Sequence, residues 1–347
     1  MASAADSHAG KASFLMVRST VVGCGIGGAC AALALAKIGA TVQVHEATPR
    51  ATEVSGWVTL GPTALTALDQ LGLAESVREI GFPVLGVNSV DTVTGRTNSF
   101  ARIEPGHRWS STHVWRRDLL SLLRARLDTE GVGCAYGTSV DPGVLEGDLL
   151  VGADGARSAT RRMPGDLREP AFTGQLIRYG HCPEPVRELP MGVLHFWTHS
   201  AGVVGYVGDK RDGSFWFSRR NVNVPTDTVD PDTYTEVLRG TSVAQVPDRS
   251  EVGAPIALYE LEPEGVRHTT RTVFIGDAAH AVSPAAGRGA TSAIEDAITL
   301  AKAIRDTDSV AAALERYTAT RRPAARAAYR TVPGQRPATI TAAALRL

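Results

Sequence analysis

Three glycines and one carboxylate, placed at the ends of two short apolar runs, are the first residues of this chain whose spacing suits a chemical task. Val17 to Val22 is β-prone, and Gly23, Gly25 and Gly28 follow it in GxGxxG spacing. Ala29 to Ile38 is rich in Ala and Leu and reads as a helix closed by Gly39, and Thr41 to Val44 alternates as a second strand. Gly23 permits the tight strand-to-helix turn, Gly25 lets the backbone approach a pyrophosphate, and Gly28 lets the helix pack close to the sheet. The loop Gly25-Ile26-Gly27-Gly28 then offers helix N-terminal N–H groups to phosphate oxygens. Glu46 ends the second strand, where it can accept hydrogen bonds from adenosine ribose hydroxyls and disfavours a 2′-phosphate. The site therefore suits FAD or NAD, not NADP.

Two further motifs add carboxylates at strand ends. Leu149-Leu150-Val151-Gly152 runs into Ala153-Asp154-Gly155, a turn, with Ser158 and Arg161 beyond it. Thr272-Val273-Phe274-Ile275 runs into Gly276-Asp277-Ala278-Ala279-His280, followed by Pro284 and by Gly287-Arg288-Gly289. A helix is expected from about Ala290 to Ile304, with Ala290, Ile294, Ala297, Ile298, Ala301 and Ile304 on one apolar face. A flavin carries ribitol hydroxyls, a pyrophosphate and an isoalloxazine ring. A carboxylate at a strand end can bind the ribitol, and a helix N-terminus can stabilise negative charge on the reduced ring. Asp277 and the Gly287–Gly289 turn supply those parts, and His280 reads as packing for the turn.

With these three motifs in order, the chain resembles the class A flavoprotein monooxygenases, the para-hydroxybenzoate hydroxylase family, from about Val17 to Arg330. The GD motif of that family is matched by Gly276-Asp277 with Pro284, Gly287 and Gly289, and its DG motif by Ala153-Asp154-Gly155 with Ser158 and Arg161. Trp115-Arg116-Arg117-Asp118-Leu119-Leu120 matches its Arg-x-x-Leu helix start. The resemblance makes Arg116 a cofactor contact and leaves Arg117 solvated. Two departures stand beside the flavin: Arg288 replaces the usual Gln, and Thr291 replaces the usual Asn. A third is the short stretch Asp141–Gly147, which leaves little room for the family's β-hairpin before the DG motif. The cofactor set that the resemblance implies is Gly23, Gly25, Ile26, Gly27, Gly28, Glu46, Arg116, Asp154, Asp277, Pro284, Gly287, Arg288, Gly289, Ala290 and Thr291.

The elements that must position these residues define the fold class: α/β, with a Rossmann-type FAD-binding domain, an interleaved antiparallel-sheet substrate domain and C-terminal helices. Residues 15–80, 110–165 and 265–305 are expected to form the first, 81–109 and 166–264 the second, and 306–347 the helical segment. Gly192–Trp197, Gly202–Val207 and Ser214–Ser218 read as strands of the substrate sheet. Alternation puts Val193, His195 and Trp197 on one face and Leu194, Phe196 and Thr198 on the other. Either set is a candidate for the pocket face. His195 is thus the one candidate catalytic base or substrate ligand, against a packed or surface histidine, and Trp216 reads as core.

The chain has 347 residues, 43% of them hydrophobic, and equal numbers of basic and acidic residues (36 each). That balance leaves no basic surplus to argue for nucleic acid. Cys24, Cys30, Cys134 and Cys182 lack metal-ligand spacing, so no metal is expected, and they read as free thiols of a reducing cytoplasm. Met1 to Leu15 reads as a leader without fixed structure and not a signal peptide, and no apolar run is long enough for a membrane span. The expected function is FAD-dependent monooxygenation of a small aromatic or polycyclic molecule, with O₂ and with NAD(P)H as a transient reductant. The alternatives are a flavin oxidase or dehydrogenase and a non-redox, cyclase-like protein that retains FAD. Halogenation is disfavoured because no Trp-x-Trp-x-Ile-Pro segment is present.

The Glu46 site with its glycine loop predicts a yellow protein that releases FAD on denaturation. Recovery of FMN, or of NAD alone, contradicts that reading.

Overall fold

The computed structural model describes residues 17–51, 56–101, 108–223, 225, 238, 241–283 and 287–330. The expected leader and the stretch from Pro333 to Leu347 lie outside them, as does Pro284. In chain order the strands are β1 (Arg18–Val22), β2 (Thr41–Glu46), β3 (Trp57–Leu60), β4 (Phe82–Pro83), β5 (Gly86–Asp91), β6 (Thr97–Ala101), β7 (Thr112–Trp115) and β8 (Gly133–Tyr136). They continue as β9 (Leu149–Gly152), β10 (Ala171–Cys182), β11 (Val193–His199), β12 (Gly202–Asp209), β13 (Gly213–Asn221), β14 (Glu251–Val252), β15 (Ile256–Glu260) and β16 (Thr272–Phe274). The helices include α1 (Ile26–Lys37), α2 (Pro62–Asp69), α3 (Ala74–Glu79), α4 (Arg116–Thr129) and α5 (Ala159–Arg162), then Asp277–His280, Gly289–Arg305 and Val310–Arg330.

Five parallel strands in the order β16-β9-β1-β2-β8 form the first sheet. β9 is buried along its whole length and β1 from Ser19 onward, as expected for parallel strands covered on both faces. β2 alternates because it lies near the edge. The Ala-rich α1 is buried from Gly28 through Leu35, and its small side chains let it lie close against the Gly289–Arg305 helix. That second helix was expected to bury one face. It buries Thr291, Ser292, Ala293, Asp296, Leu300 and Ala303 as well as the predicted apolar positions other than the half-buried Ala290, because it is enclosed by α1, α2 and the Val310–Arg330 helix. Between β8 and β9 the chain makes only a short turn at Pro142–Val144, and these two strands pair with β2 and β1 and not with each other. The short Asp141–Gly147 stretch noted in the sequence contains this turn.

The second sheet has eight strands, in the order β14-β10-β13-β12-β11-β5-β6 with β15 also on β10. β10 to β13 pair antiparallel with one another. β5 runs parallel to β11, because the β5–β6 hairpin enters the sheet from a separate stretch of chain. A three-stranded sheet, β3-β7-β4, lies between the two larger layers in the chain path. The eight-stranded sheet buries both faces. Its inner face, with Val87, Ile177, Leu194, Val207, Phe215, Phe217 and Leu258, packs on Trp57, Phe82 and Val84. Its outer face, with Cys182, Trp197, Val204, Tyr206 and Trp216, packs under Leu238, Val243 and Val246. Trp216 is core, and its indole N–H donates to Ser250 Oγ at 2.8 Å. No helix among the described residues is long and apolar enough to cross a membrane.

Candidate active site

Close approach builds the loop after β1. Gly23 has φ +98°, the left-handed region that favours glycine, and a Cβ there would lie 2.4 Å from the Ala153 carbonyl oxygen. A Cβ on Gly28 would lie 1.9 Å from the Gly23 carbonyl oxygen, so α1 sits directly on the turn. At Gly25, by contrast, a Cβ would meet nothing within 4 Å. Bare backbone at the N-terminus of α1 therefore faces open space, and no side chain caps it. The Glu46 carboxylate accepts from Cys24 N at 2.6 Å and from Thr48 N at 2.8 Å, which fixes it beside the loop. Each oxygen keeps a lone pair for a further donor.

The DG motif departs from its sequence reading. Asp154 was placed among the cofactor ligands, but both its oxygens are engaged in its own turn. Ser158 Oγ donates to one at 2.5 Å, and Thr160 N and Oγ1 donate to the other at 3.0 Å each. What this motif sets against the glycine loop is the Ala153 backbone. Arg161 then ties it to the third motif. Its buried guanidinium donates to the carbonyls of Ala278 at 2.8 Å and Ala156 at 2.8 Å.

In the third motif Asp277 is solvent-exposed, although protein crowds around its carboxyl. Burial pushes its pKa up, while His280 and Arg116 pull it down. No described residue donates a hydrogen bond to it. Gly287 has φ +61°, and a Cβ at Gly287 or Gly289 would meet nothing within 4 Å. Here a second helix N-terminus presents open backbone. Arg288 occupies its N-cap with a buried, unpartnered Nε, Ala290 is half-buried, and Thr291 is buried. A Cβ on Gly27 or on Gly276 would each come within 3.1 Å of the Ala293 methyl, so one small residue brings the first and third motifs together. Ile26 is buried beneath the loop.

Arg116 opens α4 and donates its backbone N–H to Gly56 O at 3.1 Å. Its half-buried cation acts on both Asp277 and Tyr179 and so stands between the GD turn and the sheet. Arg117 is exposed and stacks 4.5 Å from the Trp115 ring centroid. His195 is a correction. It stacks on Trp197 at 5.7 Å, neighbours Tyr206 and is buried with Nε2 unpartnered. Those partners belong to the outer face, because β11 turns Leu194 and Phe196 inward, so this histidine faces away from the GD and DG motifs. Burial lowers its pKa.

The sequence reading missed Asp296. Its carboxylate is fully buried and accepts from Gly276 N at 2.8 Å, His280 Nε2 at 2.6 Å and Arg321 Nε at 2.6 Å. Burial alone would raise its pKa, but His280, Arg321 and the Gly276 N–H together hold it well below the usual carboxylate range. His280 is therefore a polar link, not turn packing. The available signal was a carboxylate between Ala293 and Leu300 on an otherwise buried helix, since a buried charge requires partners.

Open glycine backbone at two helix N-termini, Glu46 at the end of β2 and an unclaimed Asp277 carboxyl together fit a flavin dinucleotide. The comparisons agree. Residues 128–332 match the pattern of the FAD binding domain family. The chain belongs to that family, among the class A FAD-dependent monooxygenases, and is an oxidoreductase. It is 28% identical over 331 residues to the aurachin C monooxygenase/isomerase of Stigmatella aurantiaca, covering 87% of this chain and 84% of that protein. The fold is shared with CtdE in complex with FAD and a substrate (TM-score 0.78, 19% identity, 90% of this chain and 87% of that one). It is also shared with P. aeruginosa PqsL in complex with 2-aminobenzoylacetate (TM-score 0.74, 22% identity, 91% and 94%).

Asp296→Asn should lower stability at pH 7 by about 3–5 kcal/mol, because it removes one of the two carboxylates paired with the buried Arg321 and sets an amide donor among groups that need an acceptor. The folded-state pKa of Asp296 is depressed, so its contribution is complete above the unfolded value near pH 4 and is lost as pH falls below it. Denaturant titrations should show the gap between wild type and variant closing toward pH 3, and a constant gap refutes the linkage. Asp277→Ala should weaken FAD binding by about 10- to 100-fold, the equivalent of one charge-assisted hydrogen bond. Titration of apoprotein with FAD measures this, and equal affinity removes Asp277 from the site.

Proposed function

We propose that this FAD-dependent monooxygenase uses NAD(P)H and O₂ to oxygenate a small aromatic or polycyclic molecule held against the inner face of the eight-stranded sheet. The inner face itself carries the reading. Trp57 lies 5.5 Å from Phe217 and 5.8 Å from Tyr179, and Phe196 lies 6.1 Å from Phe217, centroid to centroid. Trp115 and Phe215 continue the wall at 4.8 Å. Such a wall takes planar apolar molecules by stacking and edge contact and excludes water. His113 lies within it at 4.4 Å from Trp57, and burial pushes its pKa down to about 3, so it adds a neutral ring and no charge. The aromatic 2-aminobenzoylacetate in the PqsL complex supports a ligand of this kind.

We assign Glu46 to the adenosine ribose, the Gly25–Gly28 backbone to the pyrophosphate, and Asp277 with Arg116 to the chain that joins it to the ring. The Gly287–Thr291 helix start takes the pyrimidine edge of the ring, where its N–H groups favour negative charge. When bound, FAD supplies the electron transfer that activates O₂. The protein's share is placement: the open glycines seat the cofactor, Arg116 spans cofactor and pocket, and the aromatic wall orients the substrate and keeps water out. One dinucleotide fingerprint leaves NAD(P)H without a domain of its own, so it binds transiently. The same proposal divides the chain into cofactor, sheet and C-terminal segments at the boundaries given above. It also places the protein in the cytoplasm, in keeping with four free cysteines, three of them buried.

Turnover under ¹⁸O₂ with mass spectrometry of the product should show one labelled oxygen, and substrate should accelerate NAD(P)H oxidation. Unlabelled product with peroxide release indicates an oxidase. Unlabelled product formed equally fast without oxygen indicates non-redox chemistry.

A further inference from the structure

A cleft of about 380 Å³ opens beside the Val310–Arg330 helix, and none of the cofactor or aromatic-wall residues lines it. The helix contributes Glu315, Thr318, Arg322 and Arg326, which helical spacing of three and four residues sets along one stripe. His268, on the segment that bridges to β16 at Val273, forms the facing side. Its Nδ1 lies 2.7 Å from Thr318 Oγ1. With the hydroxyl donating to Nδ1, Nε2 carries the ring proton and is a donor.

The arginines here differ in how they are satisfied. Arg326 is held by Glu264, to whose two oxygens its Nε and Nη2 each donate at 2.5 Å. Arg322 is half-buried, its Nε is buried without a hydrogen-bond partner, and it forms no ion pair among the described residues. Arg267 is 1% exposed, with Nε and Nη1 unpartnered and Nη2 reaching only Pro263 O at 3.4 Å. The Asp296 charge acts on Arg267, but that carboxylate already accepts from Gly276, His280 and Arg321. Arg322 acts on both Arg267 and His268, so the three groups lie together. Buried N–H donors without acceptors are costly, and a phosphate group brings several acceptor oxygens and the opposite charge. Glu315 is exposed, where solvent and salt screen its charge more than that of a buried group. Burial pushes the His268 pKa down, Glu315 pulls it up and Arg322 pushes it down. An anion in the cleft works in the same direction as Glu315 and favours the imidazolium.

We propose that this cleft is a second ligand site, which takes a phosphate group through the Arg322 guanidinium and the His268 imidazole, with the Arg267 charge behind them. The ligand is phosphate itself or the phosphate of a small ester. The site is separate from the cofactor and substrate sites of the proposed function and does not rest on them.

The test is thermal melting of the FAD-loaded protein with phosphate, sulfate or glycerol 3-phosphate, each against chloride at equal ionic strength. In wild type the oxyanions should raise Tm saturably, with half of the effect reached below about 10 mM. R322M should weaken phosphate binding at least about tenfold, the equivalent of one charge-assisted hydrogen bond, and R322K, which keeps the charge without the fork, should retain part of the affinity. Sulfate keeps its charge between about pH 8 and pH 6, yet should bind more tightly at the lower pH as His268 gains a proton, and H268Q should abolish that trend. Tighter binding of phosphate than of the ester makes the free ion the ligand, the reverse makes it an ester, and either upholds the site. A Tm that rises only linearly with every salt, an R322M protein with wild-type affinity, or sulfate binding that ignores pH overturns it. Should R322M fail to fold, R322K and H268Q decide on the same criteria.

Discussion

One buried carboxylate organises the cofactor half of the molecule. Asp296 draws three donors to two oxygens: the N–H of Gly276 at the end of the third motif's strand, the imidazole of His280 one turn later, and the guanidinium of Arg321 on the last helix. Two donors come from the Gly276–His280 turn and one from the last helix, so the pairing fixes that turn, the Gly289–Arg305 helix and the Val310–Arg330 helix relative to one another. In the absence of water these charges interact strongly, and their geometry resists displacement. Asp277 keeps free oxygens because Asp296, behind it, satisfies the turn.

Around that pairing the three motifs converge by different physical means. Between the first and second it is backbone on backbone: Gly23 lies so close to Ala153 that no side chain fits. Between the first and third it is the Ala293 methyl, touched from both sides by glycines. Between the second and third it is the Arg161 guanidinium, buried against carbonyls. In none of these does a motif carboxylate perform the joining. Asp154 serves its own turn, Asp296 holds the scaffold, and Glu46 and Asp277 remain with acceptor capacity toward open space.

The eight-stranded sheet shows how a β layer buried on both faces divides its labour. Period-two alternation sends Trp197, Tyr206 and Trp216 outward into a closed core and Phe196, Phe217 and Arg219 inward. On the outer face Tyr206 Oη accepts from Val186 N at 2.7 Å and the Trp216 indole N–H donates to Ser250 Oγ. The inner set includes the half-buried Tyr179 and Arg219, whose Nε has no hydrogen-bond partner among the described residues.

The sequence by itself determined the class of fold, the cofactor and the positions of Gly23, Gly25, Gly28, Glu46 and Asp277, because these depend on local constraints. A positive φ, a helix start after a strand and a carboxylate at a strand end are all legible within a few residues of chain. It also placed β11, β12 and β13 from their alternation. Tertiary structure alone decided which sheet face looks inward, since alternation is symmetric under exchange of faces, and this set His195 on the outer face beside Trp197. It alone showed that Asp154 accepts hydrogen bonds from Ser158 and Thr160 within its own turn. It alone gave Asp296 its role, because the donors that make a buried carboxylate tolerable come from positions 16 and 25 residues away, His280 and Arg321. Local pattern records what a segment can become, whereas the pairing of buried charges depends on which distant segments arrive beside it.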